Sequence, residues 1–100
     1  MKEYNGEVYS EVTNQKGLVL VDFFATWCGP CKLLTPVLED LSKDDAYNII
    51  KVDIDKFRPV AIEEQIKSVP TLILYKDGIE LARHSGFLPK EELIAWINSK

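Results

Sequence analysis

Two cysteines, separated by a glycine and a proline, are the residues of this chain best suited to chemistry. Cys28 and Cys31 are its only cysteines, and they follow an apolar run at residues 18–21 that is typical of a buried strand. The residues after Cys31 have helical apolar spacing, so Cys28 is predicted at a strand-to-helix turn, against the positive end of a helix dipole. A thiol placed there is shifted toward the thiolate, its reactive form. The pattern therefore predicts thiol–disulfide chemistry.

Two other interpretations of the cysteine pair compete with exchange chemistry. A structural zinc site needs about four ligands, and His84 is the only other Cys or His in the chain, so a zinc site would need two chains. A purely structural disulfide would restrain the unfolded chain little, because the loop between the cysteines is so short. Redox activity is therefore favoured, and no metal is expected.

Asp22 interrupts the apolar strand that leads to the cysteines. At a strand end it would face water as an ordinary carboxylate. Inside the sheet it would be a buried acid with a pKa raised by desolvation, able to take a proton from Cys31 directly or through a water. Lys51 is predicted on the neighbouring strand, where it would either interact with Asp22 or extend into solvent. The residues alone leave these alternatives open.

The remaining pattern predicts the elements that position these residues. Apolar positions at helical spacing indicate helices at residues 5–14, 30–43, 57–66 and 89–98, and apolar runs indicate strands at residues 18–24, 47–54, 71–75 and 79–84. Asp77-Gly78 is a hairpin signal between the last two strands. Among the side chains expected to face the core are Leu33, Leu34 and Ile62. The order indicates an α/β fold with a central mixed β-sheet flanked by helices on both faces.

Composition limits the classes of function that fit. The chain has 100 residues, 46% of them hydrophobic, and a formal net charge of −4, which suits one small domain over residues 1–100. Basic residues do not cluster with aromatics, so nucleic-acid binding is not expected. No apolar run reaches the length of a membrane span, and the N-terminal residues lack the apolar core of a signal peptide. We therefore expect a cytoplasmic protein that does not bind membranes.

Beyond the cysteine pair, the chain carries short segments in a characteristic order. They are Val-Asp-Phe-Phe-Ala-Thr-Trp-Cys-Gly-Pro-Cys-Lys at residues 21–32, Pro36, Val-Asp-Ile-Asp at residues 52–55, Val69-Pro70-Thr71, Asp77-Gly78 and Gly86. Together they resemble the thioredoxin family in order and approximate spacing over residues 18–100. Two departures are visible. The N-terminal stretch is short, so the family's first edge strand is expected to be clipped or missing, and Phe24 stands where many members have a second tryptophan.

The resemblance implies a thioredoxin fold and a role for each residue near the cysteines. Cys28 is expected to be the nucleophile and Cys31 the resolving cysteine, and the two are expected to cycle through a redox disulfide. Asp22 lies six residues before Cys28, as the family's buried aspartate does, which favours the buried acid and a role as proton acceptor. Lys51 is expected to modulate Asp22.

The same resemblance implies a shallow docking surface for protein substrates. Trp27 is expected to be a partly exposed lid, and Gly29 and Pro30 to form the active-site turn. Pro70 is expected to be cis, leaving the backbone of Val69 free to pair with an extended substrate peptide. Gly86 is expected to allow a partner's backbone to approach closely.

The activity implied is reduction of protein disulfides without a bound cofactor. Gly29-Pro30 favours a reductant, because related oxidases and isomerases usually carry a histidine between their cysteines. Electrons are expected from a flavin-containing thioredoxin reductase, and the chain is expected to be a monomer. Two alternatives remain: a thioredoxin-fold binding subunit of a larger assembly that needs no turnover, and a dimer bridged by metal through Cys28 and Cys31.

Overall fold

A five-stranded sheet between two layers of helices forms the fold. The structure is a computed structural model that describes residues 1–100. In chain order the elements are β1 (Lys2–Glu3), α1 (Tyr9–Thr13), β2 (Leu18–Phe24), α2 (Gly29–Leu41), β3 (Tyr47–Asp53), α3 (Arg58–Glu63), β4 (Thr71–Lys76), β5 (Ile79–Ser85) and α4 (Lys90–Asn98). The strand order is β1-β3-β2-β4-β5. β1, β3 and β2 are parallel, whereas β4 runs antiparallel to β2 and β5 antiparallel to β4. The predicted α/β class and mixed sheet are confirmed.

The central strand β2 has both faces covered. Val19, Val21 and Phe23 point into one apolar layer, which α1 and α3 cover. Leu20 points into the opposite layer, which α2 and α4 fill. Because side chains alternate along a strand, Asp22 lies on the same face as Leu20, toward α2 and α4.

Two core assignments made from helical spacing are wrong. Leu33 is 62% exposed and Ile62 is 69% exposed, although both were expected to face the core. Successive residues of a helix are about 100° apart, so Leu33 lies a quarter-turn round α2 from the buried Leu34. In α3 the buried residue is Ala61, so Ile62, the next residue along the helix, points away from the sheet in the same way.

Two helices are shorter than their sequence pattern predicts. The first begins at Tyr9 rather than near residue 5, because Gly6 adopts a φ of +89° and the Asn5 amide donates to the Glu7 carboxylate in a local turn. The third ends at Glu63, and Gln65 beyond it has a φ of +60°, a left-handed conformation that cannot continue a helix.

The edges of the sheet differ in length. The first edge strand, β1, is present but covers only two residues, which pair with Ile50 and Lys51 of β3. At the other edge β5 follows a tight turn in which Asp77 and Gly78 both have positive φ, as the hairpin signal predicts. None of the helices combines the length and apolar character that crossing a membrane requires.

Candidate active site

The cysteine pair lies at the turn between β2 and α2, where the sequence places it. Cys28 is the N-cap of α2, and its sulfur accepts a hydrogen bond from the Cys31 amide at 3.2 Å. The two cysteines form a disulfide, with Cα atoms 5.3 Å apart. Cys28 is 5% exposed and Cys31 is 2% exposed, so Cys28 is the more accessible of the two. Pro30 lies in the first turn of α2, where its missing N–H has no helical partner to lose.

The loop before β4 faces the disulfide with free backbone groups. The Val69-Pro70 peptide bond is cis, as the resemblance implies, and Pro70 is buried. The Val69 carbonyl oxygen lies 3.7 Å from the Cys28 sulfur, and Val69 makes no backbone–backbone hydrogen bond. Gly86 has a φ of +102°, and its amide donates to the Pro70 carbonyl at 2.8 Å. These residues form one wall beside Cys28.

Trp27 stands on the other side of a shallow groove. It is 68% exposed, and its indole Nε1 donates to the Asp55 carboxylate at 2.9 Å. The groove has a volume of about 280 Å³ and is lined by Trp27, Ile54, Ile66, Lys67, Ser68 and Val69. Its apolar lining and its one charged side chain suit an extended peptide segment.

Asp22 is completely buried in the layer between the sheet and α2. Its exposure is 0%, and neither carboxylate oxygen has a hydrogen-bond donor in the protein. Desolvation raises the pKa of Asp22 to about 7, and the charge of Lys51 pulls it partly back. An acid with this pKa exchanges protons readily near neutral pH, which is what proton transfer to or from a thiol requires.

Lys51 pairs in register with Asp22 but bonds elsewhere. The two residues are Cα partners on the adjacent parallel strands β3 and β2. The Lys51 ammonium donates to the Thr35 hydroxyl at 3.1 Å and lies 4.3 Å from the centre of the Phe24 ring. It forms no ion pair with Asp22, so its effect there is electrostatic at longer range.

A second cavity joins Lys51 to Cys31. It has a volume of about 180 Å³ and is lined by the last residue of β2, the turn that follows it and the first two turns of α2, with Cys31, Lys32, Thr35 and Lys51 among its residues. The sequence pattern assigns no role to Thr35 or to Asp55, although Asp55 ends the Val-Asp-Ile-Asp segment at residues 52–55. Thr35 follows Cys31 at the i,i+4 spacing of a helix, which is the signal that could have identified it.

Within a single chain, the potential metal ligands do not cluster. No group of three potential His, Cys, Asp or Glu ligands comes together. His84 lies on β5, 5.9 Å from the Trp96 ring, in an aromatic contact.

The disulfide lies at the N-terminus of a helix, next to a mixed sheet that helices cover on both faces. This arrangement is typical of thiol–disulfide oxidoreductases. The family model described as Thioredoxin matches residues 1–99, and the chain belongs to the thioredoxin family. A thioredoxin of Chlamydia trachomatis is 53% identical over 82% of this chain and 81% of its own length. One of Staphylococcus saprophyticus is 49% identical over 79% of this chain and 78% of its own.

Solved structures agree with this assignment. A mutant thioredoxin from Halobacterium salinarum superposes with a TM-score of 0.87 at 34% identity, covering 97% of this chain and 87% of that one. The chain is thus a disulfide oxidoreductase with the redox-active pair Cys28–Cys31. Its family takes disulfides as substrates and receives electrons from a reductase partner.

Proposed function

We propose that the protein reduces disulfides in other proteins, with Cys28 as the nucleophile and Cys31 as the resolving cysteine. The observation that carries the proposal is the position of Cys28 as the N-cap of α2, where its sulfur already accepts the Cys31 amide. A thiolate there is stabilised by the helix dipole and by that hydrogen bond. Cys31 is one turn further along and less exposed, which suits an internal second attack.

The proposed cycle moves two electrons from the dithiol to the substrate. The Cys28 thiolate attacks one substrate sulfur, which breaks the substrate disulfide, forms a mixed disulfide and releases the other substrate sulfur as a thiolate that takes a proton from solvent. Cys31 then loses its proton to the Asp22 carboxylate and attacks the Cys28 sulfur. The Cys28–Cys31 disulfide forms, and the second substrate sulfur leaves as a thiolate that takes up a proton. Lys51 modulates Asp22 through its charge.

Substrate docking is proposed for the groove beside Cys28. An extended peptide would pair with the unpaired backbone of Val69, next to the cis Pro70, and lie against Trp27. Gly29 and Gly86 lack side chains, and Pro30 has only a small ring. At the rim of the groove these three residues would therefore let the peptide backbone approach the disulfide.

Replacing each cysteine by serine separates the two proposed roles. Cys31→Ser should accumulate mixed disulfides through Cys28, because nothing can resolve them, whereas Cys28→Ser should accumulate few or none. Mass spectrometry of the protein after incubation with an oxidised peptide measures both adducts. The two variants are matched, since each keeps one thiol. Equal trapping by both would contradict the assignment.

We propose one thioredoxin domain over residues 1–100, acting as a monomer in the cytoplasm, with a flavin-containing thioredoxin reductase as electron donor and a part in electron transport and redox homeostasis. Reduction of insulin disulfides with dithiothreitol as electron source tests turnover without that reductase. Cys28→Ser/Cys31→Ser must abolish it; turnover that survived would exclude exchange through this pair.

A further inference from the structure

The Thr35 hydroxyl connects Lys51 to the backbone of the resolving cysteine. Thr35 Oγ1 lies 3.1 Å from the Lys51 ammonium and 3.1 Å from the Cys31 carbonyl oxygen. A hydroxyl has one proton to donate and can also accept. The ammonium can only donate and the carbonyl can only accept, so the direction of both bonds is fixed: Lys51 donates to Thr35, and Thr35 donates to Cys31.

These bonds leave the neighbouring carboxylate without a partner. Asp22 is the register partner of Lys51 on β2, and strands of a sheet lie about 4.8 Å apart. A lysine side chain is long enough to cross that gap, yet both Asp22 oxygens are unpaired and the ammonium bonds to α2 instead. The Phe24 ring supports the ammonium from another side, at 4.3 Å.

We infer that Thr35 is a positioning residue: its hydroxyl anchors the Lys51 ammonium to α2 beside Cys31 and so prevents it from pairing with the Asp22 carboxylate. The inference rests on the proposed role of Asp22 as proton acceptor. A direct ion pair would hold the carboxylate in its charged form and weaken it as a base. The anchor keeps Asp22 basic while the positive charge remains in the cavity that Cys31 shares.

Lys51 is the charged group that acts on Asp22 within this layer. β4 presents the apolar Leu72 opposite Asp22, and α4 contributes the apolar Leu93 to the same layer. α2 contributes the cysteine pair at its start and the exposed Lys32, which lines the same cavity as Lys51. His84 pairs with Leu72 from β5, one strand further from Asp22. A movement of the Lys51 ammonium should therefore change the pH at which Asp22 loses its proton.

The test follows the Asp22 carboxyl carbon by NMR across pH in the oxidised protein, where neither cysteine titrates. Thr35→Val removes the hydroxyl and keeps the shape of the side chain. It should free the ammonium to approach Asp22 and lower the Asp22 midpoint by roughly one pH unit. Thr35→Ser keeps the hydroxyl and should leave the midpoint unchanged. In a Lys51→Met background, Thr35→Val should cause no fall.

Three results would overturn the inference: an unchanged midpoint in Thr35→Val, an equal fall in Thr35→Ser, or an equal fall in the Lys51→Met background. The last would mean that the hydroxyl acts without the ammonium. The role of Asp22 is tested separately by reaction of the reduced protein with 5,5′-dithiobis(2-nitrobenzoate), in which the second release of thionitrobenzoate reports resolution by Cys31. If Asp22→Asn leaves that rate unchanged, the proton-acceptor role fails, while the NMR midpoint still decides the anchoring.

Discussion

Replacing Asp22 with asparagine should change how the stability of the fold depends on pH. The ordinary pKa of 3.8 rises to about 7 in the folded protein because the carboxyl is buried. Since the folded value lies above the unfolded one, the stability that this group contributes is fully present below the unfolded value and is lost as pH rises through the folded value. A shift of this size amounts to about 4 kcal/mol once the group is fully ionised.

Denaturant unfolding of the oxidised protein at two pH values measures this loss. Between about pH 5 and about pH 8 the free energy of unfolding should fall by about 3 kcal/mol more in the parent than in Asp22→Asn, because the amide does not titrate. Asp45→Asn removes an exposed carboxylate and serves as the control, which should follow the parent. If Asp22→Asn and the parent lost stability in parallel, the burial argument for this carboxyl would be refuted.

Two further pairs of substitutions test packing and backbone conformation. Leu34→Ala removes a fully buried side chain and should lower the free energy of unfolding by about 2–5 kcal/mol, whereas Leu33→Ala should change it by less than about 0.5 kcal/mol; similar losses in denaturant unfolding would contradict the orientation of α2. Gly17→Ala and Gly78→Ala each force a left-handed backbone on alanine, which costs about 1 kcal/mol. The new methyl group would also collide with Asn14 at position 78 but meets nothing within 4 Å at position 17, so Tm should drop further in Gly78→Ala; a larger drop at position 17 would count against the turn geometry.

The sheet could be predicted closely because its inner strands are buried on both faces. The apolar run at residues 18–24 predicts β2 with the bounds that the structure has, since only a central strand needs apolar residues on successive positions. Helix faces are harder to predict. Leu33 shows that a leucine next to a buried position fits an apolar pattern without facing the core.

The positions of the two cysteines in the candidate site could be predicted from the sequence, but the contacts of its polar side chains could be predicted less well. Cys28 and Cys31 are only three positions apart in the chain, so local rules place both at the turn. The cis bond before Pro70 follows from the family resemblance, because base rates alone favour trans. The bond from Lys51 to Thr35 depends on how far α2 lies from the sheet, and no local pattern encodes that distance.

The redox centre is built on the strand that should be the last to open. β2 is hydrogen-bonded to β3 on one side and to β4 on the other over nearly all of its length, and its final residue is followed at once by the turn that carries the disulfide. Amide hydrogens of β2 should therefore exchange with solvent only when the whole domain unfolds, whereas those of β1 and β5 should exchange through local fraying. Local opening of the two edge strands would then leave Asp22 and the turn that carries the cysteines in place.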